Sequence, residues 1–174
     1  MNNLDNLVKA AIFTSTSIAL GYAFILIPNF EFISITVFLA GFTLGISWGA
    51  LVGGTSIFIY SVFNPLGSGL IYFPLLIGQI VAMIGIGVLG GLNKKLIFHL
   101  SMKILVIFSG FLGFICSFWY NGIMTIVYPL SAGYSLEDMK AYFISGIIFT
   151  MFHTLSNTII FLIVIPSYKI RIAR

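Results

Sequence analysis

Apolar residues run through this chain in long blocks, with prolines, asparagines and charges confined to the gaps, and the blocks are long enough to cross a bilayer. The first covers positions 7 to 27 and stops at Pro28-Asn29, a pair that favours a turn. From 33 to 63 the chain stays apolar for too long to be one span, and Gly41, Gly45, Gly49, Gly53 and Gly54 interrupt it. Two short helices broken near Ile46-Ser47 are expected there. Asn64-Pro65 opens a Gly-rich connection, Pro74 stands where a helix should start, and a fourth span ends at Gly90-Gly91. A fifth is expected from 101 to 127. Positions 129 to 138 form the next connection, in which Ser135-Leu136-Glu137-Asp138 has the form of a capped helix start. The sixth extends from 139 to 165, where Pro166 ends it. The pattern predicts an all-α polytopic membrane protein of six transmembrane helices, a single membrane domain over 1–174.

Charge then orients the spans. Between Ala10 and Asn93 only Glu31 is charged. Lys9, then Lys94, Lys95 and Lys103, then Lys169, Arg171 and Arg174 fall at alternating boundaries, with Lys140 the exception. Glu31, Glu137 and Asp138 lie in the connections opposite. By the positive-inside bias both termini and the 91–100 loop are cytoplasmic, while 28–32, 64–73 and 129–138 face outward. Only an even number of crossings between Glu31 and the 64–73 connection keeps Lys94 and Lys95 inside, which independently demands the break near Ile46-Ser47.

Composition narrows the function. Of 174 residues, 60% are hydrophobic and 7% charged, leaving no room for a soluble domain. The net charge of +4 is used up in topological anchors and lipid-headgroup contacts, so no nucleic-acid partner is implied. Cys116 is the single cysteine and sits in an apolar run, which excludes a disulfide framework, a redox pair and a thiolate metal site. The first segment lacks a cleavage pattern and reads as a retained helix. The two halves share no repeat, which disfavours an inverted-repeat transporter. No nucleophile elbow, zinc helix, phosphate loop or pair of intramembrane carboxylates is present, and His99 and His153 are expected on opposite sides. No enzyme, metal or cofactor is therefore expected. An ion-coupled carrier would want an acid or arginine within the spans, and none is found away from their ends.

Three groups of residues remain as candidates. Ala11, Ser15, Ala19 and Ala23 recur every four residues on the first helix, a stripe that lets another helix approach closely, either within the molecule or from another subunit. Gly41, Gly45, Gly49 and Gly53 form a second small-residue series, best suited to close packing and tight reversal. The polar residues Glu31, Asn64, Gln79, Trp119, Tyr120, Asn121, His153 and Asn157 converge in depth on the outer side, with Ser156 beside Asn157. Polar groups at membrane depth face protein or a cavity. A hydrophilic pocket open to the outside accounts for them, as do interhelical hydrogen bonds and aromatic-belt anchoring. Glu31 alone reads as a solvated loop carboxylate.

The segment Ile27-Pro28-Asn29-Phe30-Glu31, with Val37-Phe38-Leu39-Ala40-Gly41-Phe42-Thr43-Leu44-Gly45 and Trp48-Gly49-Ala50-Leu51-Val52-Gly53, resembles the first third of the substrate-specific S components of energy-coupling factor (ECF) vitamin transporters. Asn64-Pro65-Leu66-Gly67 and His153-Thr154-Leu155-Ser156-Asn157 with Pro166 are similar to the same family. The resemblance implies a subunit in the bacterial cytoplasmic membrane that captures a vitamin or related micronutrient from outside. It would deliver this substrate to a transmembrane coupling subunit and two cytoplasmic ATPases, toppling in the lipid bilayer as it does so. Family members often dock through an Ala-x-x-x-Ala motif on the first helix. Here Ala11 and Ser15 match with serine in the second place, and Ala19 and Ala23 match literally but lie further out. The alternative is a self-assembling helical channel or scaffold, in which the polar residues are packing glue; a channel, however, carries polar residues along the full depth of its pore.

Overall fold

A computed structural model describes residues 3–172; Arg174, counted above among the basic boundary residues, lies outside them. The described chain is all-helical: α1 (Asn3–Ala23), α2 (Ile33–Leu44), α3 (Ile46–Val62), a 3-10 turn (Gly69–Tyr72), α4 (Phe73–Leu92), a short α5 (Lys94–His99), α6 (Met102–Ser131) and α7 (Leu136–Ile172). Three helical stretches are long and apolar enough to cross a membrane: 69–92, α6 and α7; α2 and α3 are shorter apolar helices. Large apolar side chains such as Ile107, Phe111, Ile148, Phe152 and Leu155 point outward. A surface of that kind is stable against lipid, and the protein is membrane-embedded.

α2 explains itself by composition. It is apolar on every face, and every residue from Ile33 to Phe42 is buried, as expected of a helix with no polar side to offer a solvent. It packs against α1, α3, α4 and α7, and α6 closes the bundle against α4 and α7. Phe38 of α2 and Phe161 of α7 meet edge to face with ring centres 5.3 Å apart.

The reversal between α2 and α3 takes one residue, Gly45, at φ 101°, a region that L side chains rarely enter. A Cβ on Gly49 would lie 2.5 Å from Gly41 Cα, whereas eight residues of straight helix would separate the two by about 12 Å. The chain therefore folds back on itself at Gly45, and the break expected at Ile46-Ser47 falls one residue earlier. Both arms then rest on α4: a Cβ at Gly41 or Gly49 would run into the Gly87 carbonyl, one at Gly53 into that of Met83, and one at Gly90 into that of Phe38. Lipid supplies no hydrophobic drive to pair helices, so backbone proximity and dispersion hold this seam.

Three boundaries differ from the sequence expectation, two of them at prolines. α1 ends at Ala23, short of Pro28, and 24–29 coil in hydrogen-bonded turns. α6 passes through Pro129 and ends at Ser131, just before the turn at Gly133, where φ is 75°. α7 passes through the buried Pro166 to Ile172. A proline removes one amide donor, which is tolerable where neighbouring groups hold the following turn. Here Tyr168 hydroxyl pairs with Thr43 Oγ1 at 2.8 Å and Lys169 Nζ donates to the Leu100 carbonyl at 2.8 Å. The start of α7 matches its sequence: Ser135 Oγ accepts from Asp138 N at 3.2 Å and donates to Asp138 Oδ2 at 2.6 Å, a reciprocal cap.

Candidate functional site

Lys94 Nζ donates to the Thr43 carbonyl at 2.9 Å; with the Thr43–Tyr168 pair, this brings one end of α2, α4 and α7 to a common level. Counting helical rise from that lysine-bearing level, Asn157 stands about 17 Å away, Tyr60 about 21 Å, and Gln79 and His153 about 23 Å. The connection bearing Glu31 follows the same ruler, since α2 rises only about 15 Å from Thr43 to Ile33. These side chains therefore form one layer, about 15 to 23 Å from the lysine-bearing level.

Glu31 is at the centre of this layer, contrary to its reading as a solvated loop carboxylate. Short α2 and the coiled 24–29 turns carry the connection down into the bundle, where Phe24, Phe30 and Phe32 pack with ring centres 4.8 to 5.5 Å apart. Asn157 Nδ2 donates to Glu31 Oε1 at 3.0 Å and Ser34 N donates to Oε2 at 2.9 Å. Every partner of the carboxylate is a donor, which is the environment of its ionised form. Glu31 itself lies in the connection between α1 and α2, outside the helices.

The network continues through α7 and α6. The second Asn157 Nδ2 hydrogen points to His153 Nε2 at 3.0 Å, and His153 Nδ1 lies 3.0 Å from Asn121 Oδ1. Nε2 thus accepts and Nδ1 donates, the pattern of a neutral imidazole. The His153–Glu31 separation of 3.8 Å is too long for a hydrogen bond, so Asn157 mediates their contact. Asn121 Nδ2 reaches Thr154 Oγ1 at 3.4 Å, and Ser156 Oγ donates to the Asn29 carbonyl at 2.5 Å, tying the connection to α7. Tyr120 leans on His153 with ring centres 5.7 Å apart, and both Tyr60 and Tyr120 stand near Glu31.

The structure therefore brings Glu31, Tyr120, Asn121, His153 and Asn157 together. Gln79 lies beside Tyr120 and takes a 2.7 Å hydrogen bond from Ser61. Two residues are occupied elsewhere. Trp119 turns to α4, donating from Nε1 to the Ala82 carbonyl at 3.1 Å; the 100° step per residue separates it from Asn121, which faces α7. Asn64 Oδ1 closes its own turn by accepting from Leu66 N at 2.9 Å. Ser34, Tyr60 and Thr154 were missed by sequence reasoning, because small hydroxyls and tyrosines are too common in membrane helices to single out. Glu31 had a signal: it is the one charge in an otherwise uncharged stretch from Ala10 to Asn93.

Beyond the network, the far ends of α6 and α7 enclose an open-sided cleft of about 1070 Å³, which Asn121, Thr125, Lys140 and Thr150 help to line. Asn121 belongs to both. On α1 the buried residues are Ala10, Ser17 and Gly21, whereas Ala11, Ser15, Ala19 and Ala23 are all exposed. The four-residue stripe takes no part in packing within the molecule. Among the described residues no three His, Cys, Asp or Glu side chains converge as metal ligands. No family model, curated protein or solved structure matches the chain.

Proposed function

We propose that this protein is the substrate-binding membrane subunit of an ATP-driven ECF-type importer, capturing a vitamin or related micronutrient from outside a bacterial cytoplasmic membrane. The observation that carries the reading is the single polar layer built by the 24–32 connection, α6 and α7 at one depth, beside the cleft between α6 and α7. A pore would need polar side chains throughout its length. The exposed stripe of Ala11, Ser15, Ala19 and Ala23 supports the second half of the reading, a helix face left free for a coupling subunit with its two ATPases. In this reading the chain crosses the membrane six times with both termini cytoplasmic, and the polar layer lies in the outer half.

Mass spectrometry of small molecules released from the purified protein identifies the substrate, and its uptake into cells should require the coupling subunit and ATPases as well as this chain. Uptake by this chain alone would defeat the proposal. Ala11→Trp or Ser15→Trp should abolish uptake while leaving binding by the isolated protein intact; loss of both functions would make the stripe a folding feature. Topology is checked with single cysteines in a Cys116→Ser background and an impermeant thiol reagent. Labelling from outside at position 93 would overturn the orientation.

A further inference from the structure

The polar layer carries a charge that the protein does not balance. Glu31 accepts only from neutral groups, the Asn157 amide and the Ser34 backbone, and His153 presents a bare Nε2 toward the same amide. Among the described residues, Lys94, Lys95, Lys103, Lys169 and Arg171 sit at the lysine-bearing level or beyond it, and Lys9 lies twelve residues along α1 from Gly21, which packs on Tyr60, about 18 Å by helical rise. Lys140 stands seventeen residues along α7 from Asn157 in the opposite direction, about 26 Å by helical rise. A carboxylate at membrane depth without a counter-ion is costly, and such residues face partners or a substrate path.

The carboxylate can be reached, since the Glu31 side chain remains 22% exposed, and the amide that holds it is fixed in place. Asn157 is fully buried, and its Oδ1 has no hydrogen-bond partner among the described residues. The amide is not free to reverse: turning Oδ1 toward Glu31 would set oxygen against carboxylate and leave His153 Nε2 facing a second acceptor. What the layer offers is therefore a partly exposed anion held only by neutral donors, on an amide whose orientation is fixed.

We propose that the site is selective for an organic cation, a protonated amine or cationic nitrogen heterocycle, with Glu31 as counter-ion. This deepens the importer reading and rests on it for the role of the site, although charge selectivity is measured without any coupling subunit.

The test is a charge series on the purified full-length protein, followed by thermal unfolding and by calorimetry. Benzylammonium, benzyl alcohol and benzoate share one ring and differ in the charge and hydrogen-bonding of one substituent. Benzylammonium should bind saturably and raise the unfolding temperature, with benzyl alcohol and benzoate at least tenfold weaker. Glu31→Gln should reduce benzylammonium binding about ten- to hundredfold, the range of a charge-assisted hydrogen bond, and remove most of the discrimination between probes. Equal binding of the three probes, preference for benzoate, retention of benzylammonium by Glu31→Gln, or no binding by any probe would overturn the inference. If Glu31→Gln does not fold, the series on the unaltered protein decides. Failure here with coupling-dependent uptake intact would leave the importer reading standing, whereas uptake without the coupling module would remove that reading and leave charge selectivity untouched.

Discussion

Around Gly87 three helices meet backbone to backbone, with no polar side chain at the contact; around Asn157 two helices and a connection meet through amides, an imidazole and a carboxylate. The first contact tolerates no added atom because backbone cannot move aside as a side chain can. The second is satisfied in all but one acceptor, Asn157 Oδ1. Rigidity is thus concentrated in the glycine seam, which frees the polar layer to keep an incomplete set of bonds.

This contrast is broken most directly at the seam. Gly87→Val should cost at least the ~3 kcal/mol typical of severe overpacking and abolish recovery of monodisperse protein. Recovery at normal yield would show that the seam gives way. In the layer, Asn121→Ala, His153→Ala and Asn157→Ala should each weaken binding of the cognate ligand by roughly three- to a hundredfold, with the fold retained; calorimetry measures the first and thermal unfolding controls for the second. Unfolding in step with every loss would make these residues structural glue. Trp119→Phe removes the bond to the Ala82 carbonyl and the part of the indole that packs on Gly85, so stability should fall by at least about 0.5–1.5 kcal/mol with affinity unchanged. A loss of affinity would return Trp119 to the site. Smallest of all, Gly146→Ala meets nothing within 4 Å and should raise stability by up to about 1 kcal/mol through helix propensity, a gain that the same change at Gly49 should reverse.

Much of the fold was legible because apolar run length, Pro74, the Ser135–Asp138 cap and the glycine series each act locally. Pro129 and Pro166 misled because a local rule about proline yields to partners that hold the next turn, Ser131 with Tyr72 after Pro129 and Tyr168 and Lys169 after Pro166. The site was legible in its members on α6 and α7, where helical spacing gives depth directly. Glu31 was not, since its position depends on how short α2 is and on the Phe24–Phe30–Phe32 packing, neither of which shows in the residues beside it. Trp119 and Asn121 show the limit from the other side: they share a depth but face different helices.

The helices of this bundle also differ greatly in length. α7 has 37 residues and α6 has 30, while α3 has 17, or about 55, 45 and 26 Å of helical rise against a hydrocarbon core of about 30 Å. A lipid annulus around such a body meets a tall wall on one side and a low one on the other. Mismatch of fractions of a kcal/mol per Å is relieved by tilt, and with unequal walls that tilt has a preferred direction. Between its charged ends, from Ala141 to Tyr168, α7 still offers about 41 Å of uncharged length, so the protein is uneven in hydrophobic thickness, tallest on its α6–α7 side.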